Sequence, residues 1–355
     1  MTDLVARSIS LILDNQAASG AYPAAVDYPT YRDCWFRDGS YIAYSMDLTG
    51  HPESASRFHQ WVADAVLRRA DTVDKAIEHQ RNGVPLDSAD LLHTRYTLQG
   101  QESDTDWPNF QLDGLGTWLW ALREHHQTVG EAIPGKRAEA ADLVTRYLTA
   151  LWEHPCYDCW EEFPDQIHTH TLAAIHGGLT ADQVLFDRDH TQTLDSIREV
   201  ILRDAVIGGH FTKYLGHDDI DTSLVGLATP YQVVDANHPA FLRTVHLIET
   251  RLRHNGGGPR RYPTDTFYGG GEWVVLAGWL AWHHAQAGND AAAHQLRDWI
   301  EAQADPAGNL PEQVPHHLNA PDRHQEWVDR WGPIAQPLLW SHANYLIVKH
   351  HIKGA

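Results

Sequence analysis

Residues 4–13 read LVARSISLIL, and this stretch contains the pattern that decides the fold. Its apolar side chains recur every three or four positions, at Leu4, Val5, Ile9, Ile12 and Leu13. That spacing places them in one stripe along an α-helix, with polar residues on the opposite face. The pattern predicts an amphipathic first helix that ends near Gly20.

The same spacing returns along the chain, in residues 40–48, 53–70, 115–129, 138–152, 167–176, 181–188, 193–205, 239–253, 272–287, 291–304 and 334–351. Several of these stretches end at glycines that suit a left-handed C-cap, namely Gly50, Gly130, Gly177 and Gly288, and Thr180 suits an N-cap. Strand signals are limited to residues 210–214 and 231–234, without a strand-helix-strand rhythm. We therefore predict an all-α fold of about a dozen helices whose long loops carry the function.

Composition excludes several classes of partner. The 355 residues include 47 acidic and 27 basic side chains, which gives a net charge of −20 with histidine neutral. This surplus repels nucleic-acid backbones and anionic lipid, so neither nucleic acid nor a membrane is an expected partner. The longest apolar run, Trp273–Trp282, is too short to span a bilayer.

The sequence also suggests a location and a domain organisation. Three cysteines cannot build a disulfide framework, which favours a reducing compartment. The residues from Met1 to Leu4 lack the basic and then apolar stretches of a signal peptide, so we expect a cytoplasmic protein. No linker or repeat divides the sequence, and we expect residues 1–355 to form a single catalytic domain.

Aromatic side chains are unusually frequent. The sequence has 14 tryptophans and 13 tyrosines, more than burial alone requires. A flat aromatic face with a polar edge suits ligands that have apolar faces and a hydrogen-bonding rim. Sugars combine both kinds of surface, so the excess weakly favours a carbohydrate ligand.

A first chemical motif spans residues 31–39, YRDCWFRDG, just before a predicted helix. Arg37 supplies a rigid fork of donors and Asp38 supplies two acceptors, and such a pair can hold several hydroxyl groups at once. A simpler interpretation remains open, in which Asp38 caps the helix and Arg37 is its surface partner.

Two further loops combine aromatic and charged residues. In residues 107–114, WPNFQLDG, Asp113 fits a helix start, whereas Trp107 lies in a polar loop and fits a ligand-stacking role. Residues 258–273 contain Arg261 as a donor among glycines that allow backbone to approach a ligand closely. Alone, this second loop is an ordinary flexible segment.

Candidate acids occur in two more segments. Residues 159–163, CWEEF, place Glu161 and Glu162 side by side among aromatics, and repulsion plus an apolar wall would keep one of them protonated. The alternative is a solvated surface pair. Residues 308–313, GNLPEQ, are followed downstream by residues 336–343, QPLLWSHA, and contain Glu312, which alone would be read as a helix-start residue.

Metal and redox interpretations compete with these. Cys156 and Cys159 have the spacing of a zinc or thioredoxin motif, but no second pair and no strand-helix-strand context accompanies them. Adjacent histidines such as His125 and His126 point about 100° apart on a helix and chelate poorly. The sequence therefore predicts neither a metal nor a cofactor.

Read together and in order, the five segments resemble glycoside hydrolase family 15, the glucoamylase-like enzymes, over most of the chain. The fold of that family is an (α/α)6 barrel of two concentric rings of six helices, which agrees with the helix count. The resemblance implies that Glu161 is the general acid and Glu312 the general base of a glycoside hydrolase.

The resemblance also implies roles for the polar side chains. Arg37 and Asp38 would hold the far hydroxyls of the non-reducing glucose, and Arg261 would hold its other edge. Tyr31 would orient the attacking water.

Aromatic residues complete the implied site. Trp35, Trp107 and Trp273 would form its walls. Trp160 and Glu162 would line it beside the acid and raise the pKa of Glu161.

The resemblance further implies a substrate. Thr264 stands where glucoamylases often carry an acidic residue, which leaves the linkage preference open. We expect no N-terminal β-sandwich and no separate carbohydrate-binding module, and short members of this kind act on isomaltose. The expected activity is inverting, exo-acting release of β-D-glucose from the non-reducing end of small α-1,6-linked gluco-oligosaccharides, without metal or cofactor.

Other functions remain open from the sequence. An α-1,4 glucoamylase or a trehalase would use the same two glutamates, and only the pocket beyond the first sugar would differ. A non-catalytic sugar-binding protein would keep the aromatic pocket without turnover. The sequence does not indicate an oligomeric state.

Overall fold

The helices account for most of the fold. A computed structural model describes residues 3–103, 105, 107–130 and 132–352. Within these residues the α-helices are α1 Leu4–Asn15, α2 Phe36–Leu48, α3 Pro52–Leu67, α4 Ala70–Asn82, α5 Asp113–Val129, α6 Gly135–Leu151, α7 Thr169–Phe186, α8 Thr191–Asp204, α9 Pro239–Leu247, α10 Val274–Gln286, α11 Asp290–Ala302, α12 Pro321–Trp331 and α13 Leu339–His351.

Six helical segments close into an inner ring. Going round the ring, α2 packs on α5, α5 on α7, α7 on the 3-10 helix Thr222–Leu227, that helix on α10, α10 on α13, and α13 on α2. Most residues of these segments are buried, as expected for helices enclosed by other helices. In α10, for example, every residue from Val274 to Ala285 is buried.

The remaining helices surround this ring. Helix α1 packs on α13, α3 on α2, α6 on α3, α8 on α7 and α11 on α10. They are amphipathic, and α1 turns Leu11 and Ile12 inward as its spacing predicts. The result is an (α/α)6 barrel, which confirms the predicted fold class. None of the described helices is long and apolar enough to cross a membrane.

Short paired strands fix the loops at one end of the inner ring. Strand β1 (Cys34–Trp35) pairs with β2 (Arg95–Tyr96), and it leads directly into α2. Further along the chain, β3 (Val206–Ile207) pairs with β4 (His210–Phe211), and β5 (Glu272–Trp273) with β6 (Gln313–Val314). Since β1 and β5 each end where an inner helix begins, the ladders hold the loops at the N-terminal ends of those helices.

The predicted break at Gly177 is wrong. Residues 167–176 and 181–188 were expected as two helices with Thr180 as an N-cap, but α7 runs through both. A Cβ on Gly178 would lie 2.6 Å from the carbonyl oxygen of Gly116 in α5, and one on Gly177 would lie 2.7 Å from the Tyr231 ring. The two glycines therefore permit close helix packing and do not cap a helix.

Other boundaries also differ from the sequence pattern. Helix α1 ends at Asn15, short of Gly20, and residues 231–234 form turns in place of a strand. Helices α4 and α12 were not predicted; α12 is largely polar, all of its residues are exposed or half-buried, and its few apolar side chains form only a short stripe. The positive φ values expected at Gly50, Gly130 and Gly288 are confirmed.

Candidate active site

A cavity of about 300 Å³ lies where the inner helices begin. Its wall includes Arg37 and Asp38 from the first turn of α2, Trp273 just before α10, and Trp340 at the start of α13. Inner helices therefore direct their N-terminal, partially positive ends towards this space. All the site residues named from the sequence line it: Tyr31, Trp35, Arg37, Asp38, Trp107, Trp160, Glu161, Glu162, Arg261, Trp273 and Glu312.

Glu161 is held in a strained turn. Its φ of 67° lies in the left-handed region, which costs energy for a residue with a Cβ. The turn is stabilised by Asp158, whose Oδ1 accepts hydrogen bonds from the backbone N–H groups of Trp160 and Glu162, both at 2.9 Å. The indole N–H of Trp35 donates to Glu161 Oε1 at 2.6 Å, so the carboxyl group is fixed at the cavity wall.

Burial raises the pKa of Glu161. The positive charge of Arg37 and the hydrogen bond from Trp35 oppose this effect because both favour the ionised form. Glu162 instead faces Arg261, at 3.3 Å between Oε1 and Nη2, and accepts a hydrogen bond from Tyr262. Burial is therefore the main cause of the raised pKa of Glu161, and not Glu162 as expected from the sequence.

Glu312 lies between the cavity and β6. The Tyr31 hydroxyl donates to its Oε1 at 3.1 Å. Its second oxygen, Oε2, is buried and finds no hydrogen-bond partner among the residues that the structure describes. Burial raises the pKa of Glu312 to about 8, against the hydrogen bond from Tyr31 and the charge of Arg261, which lower it. One oxygen is thus held by the protein, and the other is left for a ligand or water.

Arg37 and Asp38 are buried, which rules out a surface ion pair. Arg37 is only 4% exposed, and its Nη1 donates to Gln111 at 2.8 Å and to Asp113 at 3.1 Å. Its Nε lies 3.5 Å from Asp38 Oδ2, which is buried without a hydrogen bond within the described part of the chain. Burial raises the pKa of Asp38 to about 7. Both side chains are positioned to meet polar groups inside the cavity.

Arg261 is fixed from the opposite side. Its Nε donates to Asp265 Oδ2 at 2.8 Å, and its Nη2 donates to Oδ1 of the same carboxylate. Its guanidinium carbon lies 5.3 Å from the Trp273 ring centre and 5.5 Å from that of Trp160. A bidentate carboxylate and aromatic faces leave little freedom for the guanidinium, so its position in the wall is defined.

Aromatic rings form one side of the cavity. Trp35 and Trp107 meet edge to face with ring centres 5.8 Å apart, and Tyr31 lies 6.4 Å from Trp107. The guanidinium of Arg95 covers the Trp107 ring at 4.3 Å. Trp107 contacts Trp331 of α12 at 6.3 Å between ring centres. This wall can stack on the flat face of a ligand.

Part of the wall was missed by sequence reasoning. The missed residues that line the cavity include Tyr28, Phe267, Trp327, Arg330, Trp331 and Trp340. The signal that could have found α12 is the four-residue spacing of Trp327 and Trp331, which places both rings on one helix face.

A buried ion triad supports the Glu161 turn and was also missed. Lys213 Nζ lies 2.9 Å from Asp158 Oδ2 and 2.7 Å from Asp221 Oδ2, and all three side chains are at most 4% exposed. The indole N–H of Trp160 donates to the same Asp221 oxygen at 2.9 Å. The triad joins the turn to the residue that caps the inner 3-10 helix.

The Cys156 and Cys159 thiols do not pair in a disulfide. Both are free and buried, and burial raises the pKa of each thiol. Cys159 lines the cavity next to Trp160. Buried thiols with raised pKa values are unreactive, which argues against the redox interpretation of the motif.

Two separately held carboxyl groups and two arginines in one aromatic cavity fit a glycoside hydrolase. The family model for "Glycosyl hydrolases family 15" matches residues 1–330. The chain belongs to this family, and the resemblance noted in its motifs is confirmed.

Three relatives support this assignment. The chain is 39% identical to an isomaltose glucohydrolase of Kribbella flavida over 354 residues, which cover 98% of this chain and 91% of the relative. A solved wild-type glycosidase superposes with a TM-score of 0.94 at 38% identity, covering 99% of this chain and 96% of the other. A bacterial glucoamylase complexed with acarbose shares the fold, with a TM-score of 0.74 at 18% identity, covering 99% and 56%.

Proposed function

We propose that this glycoside hydrolase is an inverting, exo-acting enzyme that releases β-D-glucose from the non-reducing end of small α-1,6-linked gluco-oligosaccharides such as isomaltose. The observation that carries the proposal is the cavity itself, because Glu161 and Glu312 line it and each is held by a donor of its own. The similarity to the Kribbella isomaltose glucohydrolase over nearly the whole of both chains supports this choice of substrate.

In the proposed mechanism Glu161 is the general acid. A glycosidic oxygen leaves poorly unless it is protonated as the bond breaks, so the acid must begin in its neutral form. Burial favours that form. The hydrogen bond from Trp35 stabilises the carboxylate that remains after the proton has been transferred.

Glu312 is the general base of the same step. Tyr31 occupies Oε1, so Oε2 is the oxygen that takes a proton from the attacking water. Attack on the face opposite the leaving group inverts the configuration at C1, and this geometry requires the two carboxyl groups to lie about 6.5–9.5 Å apart.

The remaining residues of the cavity bind the sugar. Arg37 and Asp38 hold hydroxyls on one side of the non-reducing glucose, and Arg261 holds its other edge. Because their partners fix these groups in advance, little entropy is lost when the substrate binds. Hydrogen bonds that shorten as the ring flattens contribute to the rate.

A substrate panel with product analysis tests the proposal. Purified protein is incubated with isomaltose, maltose and trehalose, and the anomer of the glucose released first is recorded by NMR. We expect isomaltose to have the highest kcat/KM and β-glucose to appear first. Faster cleavage of maltose or trehalose would assign the site to an α-1,4 glucosidase or a trehalase, and α-glucose appearing first would contradict inversion. Binding measured by calorimetry without glucose release would indicate a sugar-binding protein.

A further inference from the structure

Three chelating side chains meet between helices, away from the active site. Asp47 lies near the end of α2, His59 in α3 and His125 near the end of α5. One candidate ligand atom from each residue lies within 4.8 Å of the other two. Ten residues separate Asp47 from Arg37, a distance of about 15 Å along α2. The cluster is therefore separate from the sugar-binding cavity.

Two of these side chains have polar atoms without partners. His59 is 0% exposed, and neither of its ring nitrogens has a hydrogen bond to any described residue. Asp47 is 5% exposed, and its Oδ2 is likewise unpaired in the described ranges. Each unpaired buried group costs about 1–3 kcal/mol. Such groups in a native protein call for a bound water or ion.

The geometry of the cluster suits a metal ion. The rings of His59 and His125 lie side by side, with 4.9 Å between their centres. His125 Nδ1 lies 2.9 Å from Asp47 Oδ1. This contact uses one oxygen of Asp47 and leaves its Oδ2 free for another ligand.

We propose that Asp47, His59 and His125 bind one divalent transition-metal ion, with zinc as the expected ion. Two imidazoles and one carboxylate favour zinc over calcium or magnesium, which prefer oxygen ligands. Ligand atoms in a tetrahedral zinc site lie about 3.3 Å apart, so modest side-chain rotations are enough to close the site. The ion satisfies the free oxygen of Asp47 and one nitrogen of His59.

The role of this site is structural. The three ligands come from two inner helices, α2 and α5, and one outer helix, α3. A bound ion therefore links the two rings of the barrel in the folded state only and stabilises that state.

Zinc binding by the full-length protein tests the inference. Protein treated with a chelator is incubated with zinc sulfate, freed of unbound metal, and analysed for bound zinc and for its melting temperature. We expect one zinc ion per chain, a Tm higher by about 2–4 °C, and reversal by the chelator. Turnover of isomaltose at 25 °C should stay within about twofold with and without zinc, since the site lies far from the cavity.

Variants locate the ion. His59→Leu and Asp47→Asn should each lose the bound zinc and the Tm increase. His176→Leu alters a histidine of α7 outside the cluster and should keep both. If the wild-type protein retains no zinc and its Tm does not change, the cluster holds water and the proposal is wrong. Equal zinc binding by all variants would place the ion elsewhere and contradict the proposal. If a variant fails to fold, zinc binding by the wild-type protein still tests whether an ion is bound.

Discussion

Glu161 shows how one residue combines strain, burial and a directed hydrogen bond. Its left-handed backbone and its bond from Trp35 fix the carboxyl at the cavity wall. Glu312 reaches the same cavity from a different part of the chain, and its burial leaves one oxygen free. These two residues carry the chemistry of the proposed function, so they are the first to test.

Removing either carboxyl group should abolish turnover and leave the fold intact. Glu161→Gln and Glu312→Gln keep the side-chain volume but cannot exchange a proton, so we expect kcat to fall by at least about 10²–10⁴-fold. Activity on isomaltose and the circular dichroism melting curve check this. Glu153→Gln, at an exposed position, is the matched control and should retain full activity. Near-normal turnover in either active-site variant would refute the role assigned to it.

Tyr31→Phe should change the pH dependence of activity. The base works in its ionised form, so kcat/KM falls as the pH drops through the pKa of Glu312, about 8 in the free protein. The hydrogen bond from Tyr31 favours the ionised form, and its loss raises that pKa further. We expect lower activity at pH 7. The acidic limb of the pH profile of kcat/KM should move to higher pH by about 0.5–1 unit.

A profile of kcat/KM between pH 5 and 9 measures this shift. Tyr157→Phe, which changes a tyrosine that does not line the cavity, serves as the control and should leave the acidic limb in place. An unchanged acidic limb in Tyr31→Phe would mean that this hydroxyl does not control the ionisation of Glu312.

The turn that carries Glu161 depends on an element far along the chain. Asp158 holds the backbone of the turn, and Lys213 connects Asp158 to Asp221 at the start of the inner 3-10 helix. A buried charge that loses its partner is more costly than an exposed one. The triad is therefore the place where the stability of the barrel and the position of the acid are linked.

Replacing Lys213 should affect both properties. Lys213→Met leaves two buried carboxylates unpaired, and we expect the free energy of unfolding to fall by about 3–5 kcal/mol. Because the turn loses its support, kcat should fall more than KM changes. Lys136→Met removes an exposed ion pair with Asp64 and should cost at most about 1 kcal/mol. Urea unfolding and steady-state kinetics give both values; equal stability of the two variants would contradict the structural role of the triad.

Helices were predictable from the sequence to the extent that they bury an apolar stripe. The amphipathic α1 and α3 meet this condition, and their spacing locates them. Helix α12 does not, because its tryptophans line the cavity and stay partly exposed. The glycines of α7 resemble helix ends in the sequence, yet they allow α7 to approach α5 closely. The one-dimensional pattern does not distinguish these two uses of glycine.

At the scale of the whole molecule, the site residues named from motifs were predictable because each belongs to a motif of aromatic and charged residues in a loop, a short strand or the first turn of a helix. Their convergence in one cavity follows from the ring, whose inner helices begin at the same end. Lys213 lies outside those motifs, and its role depends on Asp158, 55 residues earlier, as well as on Asp221. A single sequence gives no information on which buried charges will meet.

The balance of buried titratable groups should give the folded protein a stability maximum near pH 6.5. Burial lowers the pKa of eight histidines among the described residues: His59, His93, His168, His170, His176, His283, His342 and His351. It raises the pKa of five carboxyl groups: Asp38, Asp47, Glu161, Glu162 and Glu312.

The sign of each effect follows from proton uptake. Below about pH 6.5 the unfolded chain protonates its histidines and the folded protein does not, so acid destabilises the fold. The carboxyl groups with raised pKa values have the opposite effect, because their protonation stabilises the folded state as the pH falls, but they are fewer than the histidines. Above pH 6.5 only the carboxyl groups change the stability. The folded state loses their protons as the pH rises to about 8, and the stability that those protons provide is lost with them. We expect the Tm to fall on both sides of the maximum; a Tm that rises steadily from pH 6.5 to 8.5 would contradict this balance.

One position in the inner ring is occupied by the 3-10 helix Thr222–Leu227, which spans only about 12 Å, whereas a 13-residue α-helix such as α10 spans about 20 Å. The shortfall leaves a polar hollow of about 580 Å³ at its far end, lined by residues that include Thr229, Gln232 and His283. This hollow and the cavity that contains Glu161 and Glu312 share no lining residue. A substitution at the base of the barrel therefore leaves the composition of that cavity unchanged.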